Sequence, residues 1–196
     1  GITTGSRNIA IGSYSLYGTC TGADNVAVGY EAAGAVTSGS DNVAIGKAAL
    51  KVTTTGVRNS ALGNQTLISS TTGSDNVAVG NSALYTSTTA SNNVAVGRLA
   101  MHANTTGTNN VAIGYEALTD NSTANSNVAI GYRSMYVATT ADNNVVAGKD
   151  AGYDMTTGDN NVCVGGLAGT DITTGGGNCC LGYQAGQNQI TTASNE

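Results

Sequence analysis

The sequence contains no proline, no tryptophan and no phenylalanine, and its aromatic rings are nine tyrosines and one histidine. Globular cores are normally built with large aromatic side chains, so their scarcity argues against an ordinary globular domain. Only 10% of the residues are charged, whereas about a quarter are charged in a typical domain. A composition biased in this way is typical of repeat proteins.

Two classes of partner are disfavoured by charge and hydropathy. Seven Lys and Arg residues stand against twelve Asp and Glu residues, and no basic cluster is present that could neutralise a phosphate backbone. The sequence also lacks a run of eighteen apolar residues of the kind that spans a bilayer. We therefore expect neither nucleic-acid binding nor membrane insertion.

The chain is a tandem repeat. An Asn opens an Asn-Val-Ala-Ile-Gly-like pentad every seventeen residues, at positions 8, 25, 42, 59, 76, 93, 110, 127, 144, 161 and 178, and Gly closes every pentad. A unit of this length is too short for a helix pair or a propeller blade. We predict that residues 1–196 form a single all-β domain, a parallel β-solenoid (β-roll) of about eleven seventeen-residue coils, with an irregular C-terminal coil from about residue 183.

Each coil is predicted to contain one short strand, because the pentad alternates in the period-two manner of a strand. The closing Gly and the later Thr-Thr-Gly-x-Asp/Asn segment supply the turns. Asx side chains near these turns are expected to cap backbone amides. Predicted turn and ladder residues are Asn25, Gly29, Asn42, Gly46, Asn76, Gly80, Asn110 and Gly114.

The larger side chains of the pentad, its second and fourth members, are predicted to point into the coil. This structural core comprises Val26, Val28, Val43, Ile45, Val77, Val79, Val94, Val96, Val111, Ile113, Val128 and Ile130. The third member would then point outward. That column is uniformly small and apolar, which favours cover by a neighbouring chain over exposure to water. The predicted subunit interface is Ala27, Ala44, Ala61, Ala78, Ala95, Ala112 and Ala129, and an inert exposed alanine face on a monomer is the alternative.

The repeats resemble two families of trimeric fibres. Repeated Asn-x-Ala-Ile-Gly pentads are similar to the left-handed β-roll heads of trimeric autotransporter adhesins. The segment Thr106–Leu118, with its Asn110–Gly114 pentad followed by Tyr115 and Glu116, resembles the repeats of phage tail-fibre proteins that end in a self-cleaving intramolecular chaperone. The resemblance covers essentially the whole chain. It implies a homotrimeric, extracellular segment with a structural and adhesive role, which presents binding surfaces to a host or cell surface. The partner it implies there is a glycan or a receptor.

Cysteine pairing leaves two interpretations open. Cys163 and Cys180 occupy the same column one coil apart, within disulfide distance, but Cys also fits a column of small apolar residues. The latter interpretation is favoured. Cys20 replaces a turn threonine and is a candidate reactive thiol. No Cys-x-x-Cys spacing is present, so no metal is expected.

No catalytic constellation emerges from the lone His102 and the scattered carboxylates, so we expect a protein that is not an enzyme and that needs no cofactor. Tyrosines recur just after the Gly turn and four residues later. Tyr30, Tyr115, Tyr132, Tyr85 and Tyr136 are candidates for binding a surface ligand, although packing over the turns is the favoured interpretation.

Two further functions are considered. A self-assembling extracellular filament would use solenoid ends that stack head to tail. Ice binding would use the Thr-Thr columns, but adjacent strand residues point to opposite faces, so each face would carry one threonine rank instead of two.

Overall fold

A computed structural model of the chain describes residues 3–187. It confirms the all-β prediction: the described chain has no helix, and eleven parallel strands stack in sequence order into one sheet of a β-solenoid. The predicted irregularity of the last coil falls largely on residues 188–196, which lie outside the described range. The strands are β1 (Ile9–Ile11), β2 (Val26–Val28), β3 (Val43–Ile45), β4 (Ser60–Leu62), β5 (Val77–Val79), β6 (Val94–Val96), β7 (Val111–Ile113), β8 (Val128–Ile130), β9 (Val145–Ala147), β10 (Val162–Val164) and β11 (Cys179–Leu181).

Every coil repeats the same conformation, which we describe by positions 1 to 17, starting at the repeat Asn. The strand occupies positions 2 to 4, and each strand pairs with the next without a register shift, as in Val43 opposite Ser60. Position 5 is always Gly with φ between 118° and 143°. A side chain there would also collide with the next coil, because a Cβ on Gly80 would lie 2.6 Å from the carbonyl oxygen of Gly97. Glycine is thus required at this position twice over.

Three further corners of the coil use left-handed backbone at residues that are mostly not glycine. Positions 7, 9 and 17 have φ near +55°, as at Glu116, Leu118 and Asn109. Asn and Asp are common at position 17, where their side chains tolerate this conformation. Such residues are locally strained, so the stack must hold them in place.

The predicted ladder of asparagines is confirmed as a buried column at position 1. The Oδ1 atom of Asn25 accepts hydrogen bonds from both the backbone N–H and the Nδ2 of Asn42, at 3.1 and 3.0 Å. The Nδ2 of Asn25 also donates to the carbonyl of Gly39 across its own coil, at 2.9 Å. The same pattern recurs along the column. Each Asn therefore closes its own coil and fixes the position of the next.

Backbone hydrogen bonds between coils alternate in direction around the coil. The N–H groups of Val26 and Leu50, at positions 2 and 9, donate to the following coil, whereas that of Gly46, at position 5, donates to the preceding coil. Positions 11 and 13 behave like position 2, and positions 7 and 17 behave like position 5. Each interior coil is thus bonded on both sides along most of its length.

The prediction of which pentad residues face inward is wrong. The alanine column at position 3 is fully buried inside the coil, so these residues are not a subunit interface: Ala27, Ala44, Ala61, Ala78, Ala95, Ala112 and Ala129. The predicted core residues point outward, and none of them is buried: Val26, Val28, Val43, Ile45, Val77, Val79, Val94, Val96, Val111, Ile113, Val128 and Ile130. The reason is strand periodicity, because the buried Asn at position 1 places position 3 on its own face and positions 2 and 4 on the opposite one.

The interior is filled instead by position 9. Its large side chains are almost fully buried, and they are Leu16, Leu50, Leu67, Leu84, Met101, Leu118 and Met135. They pack against the small residues at positions 3 and 8, such as Ala112 and Ala117. The coil is thin, so in most coils one large side chain at position 9 fills it, with alanine at position 3.

The last coils exchange volume between positions 3 and 9. Glycine replaces the large residue at Gly152, Gly169 and Gly186, and position 3 enlarges to Val146, Cys163 and Cys180 in the same three coils. A Cβ on Gly152 would lie 3.2 Å from a methyl of Val146, and one on Gly169 would collide with the Cys163 sulfur. Met155 and Ile172, buried at position 12, contribute further volume. The interior thus remains filled by a different combination of side chains.

Replacing one asparagine of the ladder should destabilise the whole stack. The Asn110→Ala change removes the acceptor of two bonds from Asn127 and the donor of bonds to Asn93 Oδ1 and the Ala124 carbonyl. Because these groups are buried, we expect a loss of about 2–5 kcal/mol in the free energy of unfolding. Urea denaturation followed by circular dichroism measures it. The exposed Asn64→Ala serves as the control, and equal effects of the two changes would contradict the role of the ladder.

The volume exchange predicts a coupled pair. Gly152→Leu alone should lower the free energy of unfolding by about 1–3 kcal/mol through overpacking against Val146. Backbone strain should add little, because the φ of 55° at Gly152 is close to that of leucine at the same position in other coils. Val146→Ala alone should leave a cavity. The double variant restores the usual Ala and Leu combination, so its loss should be smaller than the sum by at least about 1 kcal/mol. Additive losses in a double-mutant cycle would exclude the exchange.

Candidate functional site

The outer face of the sheet is an apolar strip that runs the length of the described solenoid. It consists of positions 2 and 4, and Ile45, Ile113 and Ile130 are each about 40% exposed. Departures are few: Ser60, Ala147 and Cys179 interrupt two columns of otherwise branched aliphatic residues. Eleven strands about 4.8 Å apart make a strip of roughly 50 Å. Monomeric proteins rarely leave so long an apolar surface in water.

The tyrosines predicted from their recurrence lie in two rows beside the Gly turn, at positions 6 and 10. Tyr115 and Tyr132 stack with ring centroids 5.4 Å apart and planes within 12°. Tyr136 stacks on Tyr153 in the same manner, and Tyr85 stacks on His102. Within each pair the rings cover one another, which supports the packing interpretation for these candidates.

Arg133 fills the space between the two rows. Its guanidinium lies 5.0 Å from the ring of Tyr136, 5.1 Å from that of Tyr153 and 5.6 Å from that of Tyr132. It also donates to the Tyr153 hydroxyl, at 3.2 Å, and lies 3.4 Å from a Glu116 carboxylate oxygen. Cation–π contacts of this kind stabilise the corner, and Tyr136 and Tyr153 are only partly exposed.

The first three described coils contain a different aromatic arrangement. Tyr14 meets Tyr17 and Tyr30 edge to face, with interplanar angles of 75° and 87°. Beside them lies a cavity of about 330 Å³ lined by Tyr14, Tyr17, Glu31, Gly34, Ala35, Lys51 and Val52. Tyr30 was among the predicted candidates, whereas Tyr14 and the cavity were not anticipated.

The cavity follows from the columns of the repeat. Tyr17, Gly34 and Lys51 occupy position 10 of successive coils, and Gly34 is the only glycine of that column among the described residues. The missing side chain leaves a gap between Tyr17 and Lys51. Lys51 Nζ reaches Glu31 Oε2 at 2.8 Å, and this hydrogen bond raises the pKa of Lys51. An ion pair therefore forms one wall of the gap.

Cys163 and Cys180 face each other on β10 and β11, and the structure holds both as buried thiols. Burial raises the pKa of Cys163 to about 12 and also raises that of Cys180. Their fit against Gly169 and Gly186 supports the packing role, and a disulfide between them stays a prediction. Cys20 is buried and burial raises its pKa as well, which argues against a reactive thiol.

The Thr-Thr columns do not present the hydroxyl array that ice binding would need. At position 13 the hydroxyls of Thr54, Thr71 and Thr88 donate to the carbonyl of the equivalent residue in the next coil, at 3.1–3.2 Å. These hydroxyls are therefore engaged by the backbone. One exposed rank remains, at position 14, which agrees with the argument against ice binding from the sequence.

Residues 3–187 bring no three His, Cys, Asp or Glu side chains together in a group that could hold a metal ion. The Asp residues near the turns are engaged locally: Arg7 donates to Asp24, and the Asp159 carboxylate caps the N–H of Asp142. Within the same range no helix could cross a membrane.

Comparisons with known proteins add no relative. No family model matches the chain, and neither the curated proteins nor the solved structures contain a significant match.

The raised pKa of Cys163 predicts a loss of stability at alkaline pH. The thiol ionises near pH 9 in the unfolded chain but only at about 12 in the folded one, so the unfolded state alone releases its proton between these values. Its contribution is complete below pH 9 and is lost as the pH rises towards 12. Urea midpoints at pH 7.5 and pH 10 should therefore differ more in the wild type than in Cys163→Val. Valine is a suitable replacement because Val146 occupies the same column in the preceding coil. Equal differences would contradict the assignment.

Proposed function

We propose that the chain is one protomer of a homotrimeric β-roll fibre segment, a shaft or head that holds binding surfaces away from an anchor outside the cell. The role is structural and adhesive, without catalysis. The observation that carries the proposal is the apolar strip of positions 2 and 4. Its exposure in a single chain calls for a partner surface of the same length and chemistry, and a second and third copy of this chain supply one.

The direction of the strip supports a parallel assembly of copies. Its columns follow the stacking axis of the solenoid, so identical chains side by side can bury the strip over all eleven strands at once. Packing aliphatic columns against each other gives a continuous dry contact. The alanines predicted as the interface are inside the coil, so the proposed contact uses Val26, Val28 and their equivalents instead.

The resemblance to repeats of phage tail fibres and trimeric autotransporter adhesins supports three copies over two. It also supports an extracellular location on a virion or a cell surface. A self-assembling filament, in which the solenoid ends stack, remains the alternative. The two assemblies use different surfaces, because the filament buries the ends and the trimer buries the strip.

The mass of the assembly tests the proposal. Light scattering coupled to gel filtration should give about three times 19.3 kDa, independent of protein concentration. The double variant Ile113→Glu/Ile130→Glu places charges on the strip and should yield monomers, because buried unpaired carboxylates are costly.

Thr106→Glu is the matched control, since Thr106 is exposed on a turn away from the strip. It should remain trimeric. A folded wild-type monomer would refute the trimer, and growth of the mass with concentration would favour the filament.

A further inference from the structure

We propose that the cavity beside Tyr14 and Tyr17 binds a neutral pyranose sugar, as the terminal residue or disaccharide of a surface glycan. The inference deepens the proposed function by naming a ligand class, and it rests on that function only for its biological setting. The cavity itself is a property of one chain, formed by side chains of three successive coils.

The ring orientations separate this cluster from the other tyrosines. Tyr17 is 65% exposed and Tyr14 is 54% exposed, they meet edge to face, and both line the cavity. In the stacked pairs of the two tyrosine rows, the ring faces contact each other and Arg133. The face of a tyrosine ring attracts the weakly positive C–H groups on one side of a pyranose ring.

The opposite wall supplies the polar contacts that a sugar needs. The Glu31 carboxylate accepts hydrogen bonds and the Lys51 ammonium donates them, and adjacent sugar hydroxyls can do both. The side chains of Glu31 and Lys51 are 28% and 41% exposed, so they are within reach of a ligand. Since the pair has no net charge, it favours a neutral sugar over an acidic one.

Size and position complete the argument. The volume of about 330 Å³ lies near the lower end of small-molecule sites, roughly 300–1,000 Å³, which suits one or two sugar rings. Ala35 and Val52 supply an apolar floor beside Gly34. All lining residues occupy positions 7, 10 and 11, so none of them belongs to the apolar strip of positions 2 and 4.

Saturation-transfer NMR on the intact chain tests the proposal, with the methyl glycosides of glucose, galactose, mannose and N-acetylglucosamine as probes. We expect transfer to the C–H protons of at least one glycoside. Tyr17→Ala should weaken binding at least tenfold. Gly34→Tyr should do the same by filling the gap, and tyrosine already occupies this position in two other coils, as Tyr136 and Tyr153. Tyr153→Ala is the matched control and should bind like the wild type.

Absence of transfer to all four glycosides from a folded protein would overturn the proposal. So would unchanged binding by Tyr17→Ala or Gly34→Tyr, or binding of toluene, an apolar probe, without binding of any glycoside. The mass measurement on the same samples keeps the two proposals apart: a monomer that binds a glycoside removes the trimer and not the site, and a trimer that binds none removes only the site.

Discussion

The asparagine column is the constraint on which the rest of the structure depends. One Oδ1 atom accepts two N–H groups of the next coil, and the same side chain closes its own coil through Nδ2, as Asn25 does with Asn42 and Gly39. These groups are buried, so leaving any of them unpaired would be costly. A coil one residue longer or shorter would displace its Asn from the column. The seventeen-residue period is thus a requirement of the buried hydrogen bonds, and all other columns inherit their alignment from it.

This alignment assigns separate roles to the columns. Interior positions 1, 3, 8, 9 and 12 determine stability, and they can exchange volume among themselves, as Val146 and Gly152 do. Positions 2 and 4 form one long, mostly aliphatic strip, and positions 6, 7, 10 and 11 form corners whose composition varies from coil to coil. Variation at the corners leaves the interior untouched. A ligand site such as the one proposed beside Tyr17 can therefore arise from a few substitutions at the corners. One of these is Gly34, at position 10.

Much of the fold is predictable from the sequence because the repeat is exact. The positions of the strands, the Gly turns and the Asn ladder all follow from the spacing of Asn and Gly. The prediction of which pentad side chains face the interior is wrong, because it assigns Val and Ile to the interior by their apolarity. Asn25 belongs to the buried ladder, and Ala27 lies two residues further along the same strand, so Ala27 is on the buried face and the Val and Ile residues are on the outer face. Apolarity alone does not distinguish the inside of a coil from an outer face that another chain covers. The cavity depends on ring orientation and on a gap at Gly34, and spacing along the sequence indicates only that Tyr17, Gly34 and Lys51 share a column.

The alternating direction of the hydrogen bonds between coils has a consequence for long-range electrostatics. In an α-helix all peptide dipoles point the same way and sum to a macrodipole. Around each coil here, the N–H groups of Val26 and Leu50 point along the axis in one sense and that of Gly46 points in the other. The contributions largely cancel within a single coil, so the potential at either end of the rod does not grow with the number of coils. A solenoid of this kind can be extended by whole repeats without accumulating opposite charge at its two ends.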